Sequence, residues 1–230
     1  MATVVARTRW VAAVSTAVVL VPVSAGAAAA APASCPQYSY AGLQSPAAVN
    51  GIEATVTAVG EPQVAWGHIG GWIGVGGPGQ GPNGTDAWVQ VGLSSFADDK
   101  GSRIYYEITV PHVKPHYSEV DTNVAPGESH RLAIRELPTA RGWWRVLVDD
   151  RPVSVAVRMP GSHGHWKAQA FGESWNGGQN VCNVFDYTFA GVQIAEAGSW
   201  LPLTGAQLVQ DPAYRISRLP HAAFRARFIG

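Results

Sequence analysis

A two-sheet antiparallel β-sandwich, of jelly-roll type, is the fold that this sequence predicts. Beyond residue 33 the chain reads as about nine short segments of alternating polarity, parted by clusters of Gly, Pro, Asn and Asp. No helical period of useful length intervenes, the one exception being the stretch after Thr204. A parallel sheet needs crossover helices between its strands, and there is no room for them.

The first segment sets the pattern. Ile52, Ala54, Val56 and Ala58 alternate with Glu53, Thr55 and Thr57, as on a strand with one buried face. Strands follow at 71–75, 88–93, 103–110 and 131–137. Segments 143–148 and 153–158 flank Asp149-Asp150-Arg151-Pro152, which predicts a hairpin with a loop of about four residues. Segments 166–175 and 187–194 complete the set. The end of the chain, with Arg215, Arg218, Arg225 and Arg227 interleaved with Phe224 and Phe228, reads as a solvated basic tail. The expected division is thus a leader at 1–33, a sandwich domain at 34–204 and a tail at 205–230.

The leader is read from three features in order. Arg7 and Arg9 precede an apolar run from Trp10 to Val23, and small residues follow up to Ala31-Pro32-Ala33, the form of a secretion signal with an A-x-A cleavage site. The apolar run is short and Ala-rich for a membrane span, which takes about 20 apolar residues. An extracellular protein with no membrane anchor after cleavage is therefore expected. Cys35 and Cys182 are the only 2 cysteines, and an oxidising compartment favours their pairing as a disulfide.

Loss of the leader leaves 14 basic and 16 acidic residues, a net charge of −2. A nucleic-acid partner, whose phosphates call for a basic surface, is not expected. Charged residues are 14% of the chain while Trp, Gly and Pro are abundant, as suits an extracellular β protein with tight turns and aromatic surfaces. The glycine-rich stretch 74–84 lacks the Lys-Ser/Thr step of a phosphate loop and a following helix, so it reads as a loop between strands. His112 with His116, and His163 with His165, sit among Pro or Gly without a nearby acidic or Cys partner, so neither a metal nor another cofactor is expected. A serine hydrolase would need a Gly-x-Ser-x-Gly elbow, which is missing. A sandwich glucanase would carry paired carboxylates on one strand, and the strand around Glu173 has one.

Several short segments, taken in chain order from about Tyr40 to Ile194, resemble the eqolisins, the glutamic peptidases. They are Tyr40-Ala41-Gly42, Gly51-Ile52-Glu53-Ala54-Thr55, Gly71-Trp72-Ile73-Gly74-Val75, Val89-Gln90-Val91-Gly92, Tyr105-Tyr106-Glu107, Pro126-Gly127-Glu128, Gly172-Glu173-Ser174-Trp175 and Phe189-Ala190-Gly191-Val192. The resemblance implies a concanavalin-like β-sandwich and secreted acid endopeptidase chemistry, in which a glutamate activates water and a glutamine amide stabilises the oxyanion. Carried over, Glu173 is the base and Gln90 the oxyanion donor. Trp72, Trp88, Tyr106, Glu107 and Trp175 are then the expected lining of a concave groove for an extended polypeptide or a glycan. Three departures stand against this: Gly76 and Ser94 replace acidic residues of the family pattern, and Asn176 or Gly177 stands near the place of a second glutamate. The alternative they leave open is a non-catalytic extracellular module that binds carbohydrate or peptide on the same face.

Overall fold

The computed structural model describes residues 35–230; the expected leader and cleavage site lie outside them. Two antiparallel sheets pack face to face, as the alternation predicts. The first sheet contains β1 (Tyr38–Ala48), β3 (His68–Gly77), β4 (Ala87–Phe96), β5 (Ser102–Thr109), β6 (His116–Val124), β11 (Lys167–Trp175) and β14 (Gln207–Gln210), in the order β14-β1-β11-β3-β4-β5-β6. The second contains β2 (Gly51–Ala58), β7 (Ser129–Leu137), β8 (Ala140–Val148), β10 (Val157–Arg158), β12 (Asp186–Glu196), β15 (Tyr214–Leu219) and β16 (Ala223–Phe228), in the order β10-β8-β7-β2-β12-β16-β15. β9 (Arg151–Pro152) and β13 (Ser199–Pro202) add short edges to β8 and β12.

Three segments depart from the sequence reading. The expected basic tail is built into both sheets: β14 pairs with β1, and β16 pairs with β12. Phe224 and Ala226 point inward while Arg225 and Arg227 alternate outward, so hydrophobic burial holds this segment as strand rather than frayed chain or helix. The hairpin after β8 turns on two residues rather than four, because Asp149 (φ 48°) and Asp150 (φ 63°) both adopt the left-handed conformation of a tight turn and β9 begins at Arg151. Of the segment read as one strand at 153–158 only Val157–Arg158 is strand, as β10, while β9 falls in the expected loop.

The core fills the space between the sheets with Ile52, Ile73, Leu93, Leu132 and Ile134, and with stacked aromatic pairs, Trp144 on Trp166 and Phe189 on Phe224. Gly71 lets β3 approach Tyr187 closely, since a Cβ there would lie 2.4 Å from the phenol ring. Cys35 and Cys182 form the expected disulfide, with 5.2 Å between their Cα atoms.

One buried carboxylate ties the second sheet to its loops. Glu136 accepts hydrogen bonds from the Gly142 backbone, from Asn50 Nδ2 (2.7 Å) and from His163 Nδ1 (2.9 Å). Burial pushes its pKa up, but these donors outweigh that and hold it below the usual carboxylate range. A depressed folded-state pKa gives stability that is present above the unfolded value, near 4.3, and is lost as pH falls through the folded value. Glu136→Gln should therefore cost about 1–3 kcal/mol at pH 7, from one imperfectly paired buried group. The deficit should shrink in urea melts as the pH is lowered below about 4. A deficit of the same size at both pH values would contradict the assignment.

Candidate functional site

The outer face of the first sheet is concave and carries a groove of about 600 Å³. Strand alternation decides which side chains reach it. On β3, His68 and Trp72 point outward with Gly70, Gly74 and Gly76 between and beyond them, while Ile69, Ile73 and Val75 point into the core. Hydrogen-bonded register then sorts the outward residues into rows that run across the strands. Tyr38, Trp175, His68 and Phe96 form one row. Tyr40, Glu173, Gly70 and Ser94 form the next, followed by Phe171, Trp72, Gly92 and Tyr105. Gln44, Gln169, Gly74, Gln90 and Glu107 form the fourth.

The groove therefore has an aromatic end and an amide end. Tyr38 lies 6.3 Å from Trp175, Trp175 5.3 Å from His68, and His68 5.7 Å from Phe96, centroid to centroid. Trp72, Tyr105 and Phe171 make a buried apolar cluster on the groove side, apart from the main core, with Trp72 edge-on to Phe171 at 5.3 Å. At the amide end the floor is bare backbone at Gly74. A Cβ there would stand 3.0 Å from Trp72 Cζ3 and 3.3 Å from Gln90 Cβ, so glycine keeps the space open.

Two carboxylates line the groove. Glu173 is 8% exposed and accepts a hydrogen bond from Trp72 Nε1 at 2.6 Å, while His68 Nε2 stands 3.7 Å from its other oxygen. Glu107 accepts from Trp88 Nε1 at 2.9 Å. Burial raises the Glu107 pKa, the Trp88 N–H opposes this, and the nearby charge of Glu173 adds to the rise. Burial, and then the Glu173 charge, also push up the Tyr40 and Tyr105 hydroxyls, which stay protonated and able to donate.

Of the residues singled out from sequence, Trp72, Trp88, Gln90, Glu107 and Glu173 all line this groove, and Trp175 stands in the aromatic row at its end. Tyr106 does not belong to it. It packs against the core between the sheets, because its even-numbered neighbours Ile104 and Ile108 also point inward, and Tyr105 takes the outward place. Period-two alternation from Glu107 would have selected Tyr105 directly. Sequence alternation does not reach His68, Tyr38 and Gln44, since His68 lies just outside the strand segment 71–75 and β1 shows no clean alternation.

Gln90 and Glu173 share the groove but not a row. Glu173 pairs with Gly70 and Gln90 with Gly74, four residues apart on β3, which is about 13 Å along a strand. Gln90 donates through Nε2 to Tyr105 Oη at 3.2 Å. The residue that stands across Gly74 from Gln90 is Gln169. With one strand between them, their Cα atoms are about 10 Å apart, a gap that two side chains and one water can span. Gln169 makes no side-chain hydrogen bond among the described residues, and its Nε2 lies 3.8 Å from the place a Cβ on Gly77 would take.

No protein-family model matches the chain, and no curated protein matches it in sequence. Among solved structures the chain is similar to Scytalido-glutamic peptidase with a peptide-based transition state analog, at a TM-score of 0.60 and 16% identity over 83% of this chain and 98% of that one. It is also similar to SCP-B, a member of the eqolisin family of peptidases in complex with the tripeptide Ala-Ile-His, at a TM-score of 0.56 and 14% identity over 83% and 98% of the two chains. Identity at this level speaks for the fold. The chain has an eqolisin-like β-sandwich, divergent in sequence, in keeping with the order of the short motifs.

Proposed function

We propose that this is an exported protein that binds extended polypeptide in the concave groove of an eqolisin-like sandwich without hydrolysing it. One observation carries the reading: across Gly74 an amide meets an amide, Gln90 opposite Gln169. Hydrolysis by a glutamate and glutamine pair needs a carboxylate and an amide donor that each reach one water at about 3 Å. A glutamine cannot take the proton from that water. The carboxylate on the same strand, Glu173, lies in another row and is engaged by the Trp72 N–H.

What remains is well suited to holding a chain. Side-chain amides both donate and accept, as a peptide backbone does, and the aromatic row offers flat apolar surface for side chains. The structural neighbours just named hold peptidic ligands, which favours polypeptide over glycan. The disulfide fits an oxidising, extracellular site of action. A fluorescent peptide from an unfolded protein should bind at micromolar concentration, and its binding should weaken at least tenfold in a Gln90→Ala variant. The wild type should leave casein or another unfolded protein intact between about pH 2 and 5, the range over which a carboxylate base titrates. Cleavage by the wild type that is abolished in both Glu173→Gln and Gln90→Ala would overturn the reading and assign hydrolysis to Glu173.

A further inference from the structure

The second sheet has an outward face of its own, remote from the groove, and its chemistry is different. On β8, Trp144 and Val146 are buried, so Arg141, Trp143 and Arg145 point outward. Arg135 of β7 stands directly opposite Arg145, and Arg158 of β10 directly opposite Trp143. On the other side of Arg135 lies Gly51, over which the ring of Trp200 packs; a Cβ on Gly51 would lie 3.1 Å from its Cη2.

These arginines are unpaired and stand together on one face. Arg103, Arg131 and Arg225 are each paired with carboxylates. Arg135, Arg141, Arg145 and Arg158 form neither an ion pair nor a side-chain hydrogen bond with any described residue. Arg145 Nε is buried without a partner. Two acids of the neighbouring strands are engaged elsewhere, since Glu53 is bound by Arg131 and Glu136 points inward to its own donors. Like charges directly opposite one another across a strand pair destabilise, as does a buried N–H left unmatched. In a chain whose sandwich carries net negative charge, such a concentration of unpaired guanidinium groups calls for an anion from outside.

We infer that this face binds an acidic polysaccharide, one bearing sulfate, phosphate or carboxylate groups. Guanidinium groups match such anions in planar, bidentate fashion. Trp143, 39% exposed, and Trp200 supply rings on which the apolar faces of sugars stack. The ladder from Gly51 through Arg135 to Arg145 crosses three strands, which suits a chain laid across them.

The test uses dextran sulfate, neutral dextran, single-stranded DNA and vesicles of anionic lipid as probes against the full mature chain. Dextran sulfate should bind and neutral dextran should not, with affinity falling steeply as salt rises. An Arg135→Ser, Arg145→Ser double variant should lose at least tenfold in affinity for dextran sulfate, melt no lower than the wild type and keep its groove peptide binding. Trp143→Ala should weaken dextran sulfate binding at least threefold. Undiminished binding in the double arginine variant overturns the inference. So does DNA or vesicle binding as tight as that of dextran sulfate and equally indifferent to Trp143, which would reveal a general anion surface rather than one for sugars.

Discussion

Gln169→Glu should confer acid endopeptidase activity on the groove. The substitution keeps the length and shape of the side chain and puts a carboxylate across Gly74 from the Gln90 amide, where a glutamine now stands. A positioned general base contributes typically about 10²–10⁴-fold to rate, so cleavage of an unfolded protein should rise by about that factor over the wild-type background. A base works in its ionised form, and a glutamate near its reference value ionises around pH 4.3. The new activity should accordingly be weak near pH 2 and climb towards pH 5. Adding Gln90→Ala should take back about 10²–10³-fold, the usual cost of an oxyanion donor. Proteolysis followed by mass spectrometry across this pH range measures all three. A Gln169→Glu protein that folds and binds peptide, yet cleaves nothing at any of these pH values, would show that the row across Gly74 is not a place where water can be activated. Peptide binding by the wild type is measured separately, so such a failure would leave the binding reading untouched.

Much of the scaffold for this result is legible in the sequence, and the decisive pairing is not. The strands that build the groove floor, β3, β4, β5 and β11, show as alternating or apolar runs because one face of each meets the core. β6 leaves no signal in the sequence because nearly all of His116–Val124 is exposed on an edge. β1 carries Pro46 and a run of small residues, which blur its alternation. The terminal strands were readable in principle, since Phe224, Ala226 and Phe228 alternate with arginines, but a cluster of basic residues suggested solvation instead. The three-residue likeness Tyr105-Tyr106-Glu107 points to Tyr106, whereas the strand period points to Tyr105. The role of Gln169 lies on a different level. Alternation places Gln169, Phe171 and Glu173 on one face, but which of them meets Gln90 depends on how β11 slides along β3. Slipping that pair by four residues would put Glu173 in the row of Gln90 with every side chain still on its proper face. Only packing of the whole sheet, such as Gly71 against Tyr187 and Gly172 against Phe185, selects the observed register.

Removal of the disulfide should produce a large loss of stability. Cys35 and Cys182 are separated by 147 positions, so their bond closes a loop through nearly the whole sandwich. The chain-entropy model values such a loop at about 5 kcal/mol, and loss of native disulfides typically costs about 2–5 kcal/mol. For a domain of this size 1 kcal/mol moves Tm by about 2–4 °C, which gives a fall of roughly 5–20 °C in a Cys35→Ser, Cys182→Ser protein. Part of the local structure should survive, because the bond is not the sole tie at this corner. Asn176 Nδ2 donates to the carbonyls of Cys35, Pro36 and Val181, joining the same two segments, and β1 remains paired with both β11 and β14. The loss should therefore appear in Tm and in the urea midpoint, with peptide binding retained well below the new Tm, since Tyr38, Tyr40 and Gln44 keep their places on β1. Calorimetry with and without reductant, and of the double serine variant, checks this. Should Tm stay within about 1 °C, the side-chain hydrogen bonds of Asn176 would be holding the corner alone and the disulfide would be ornamental to stability.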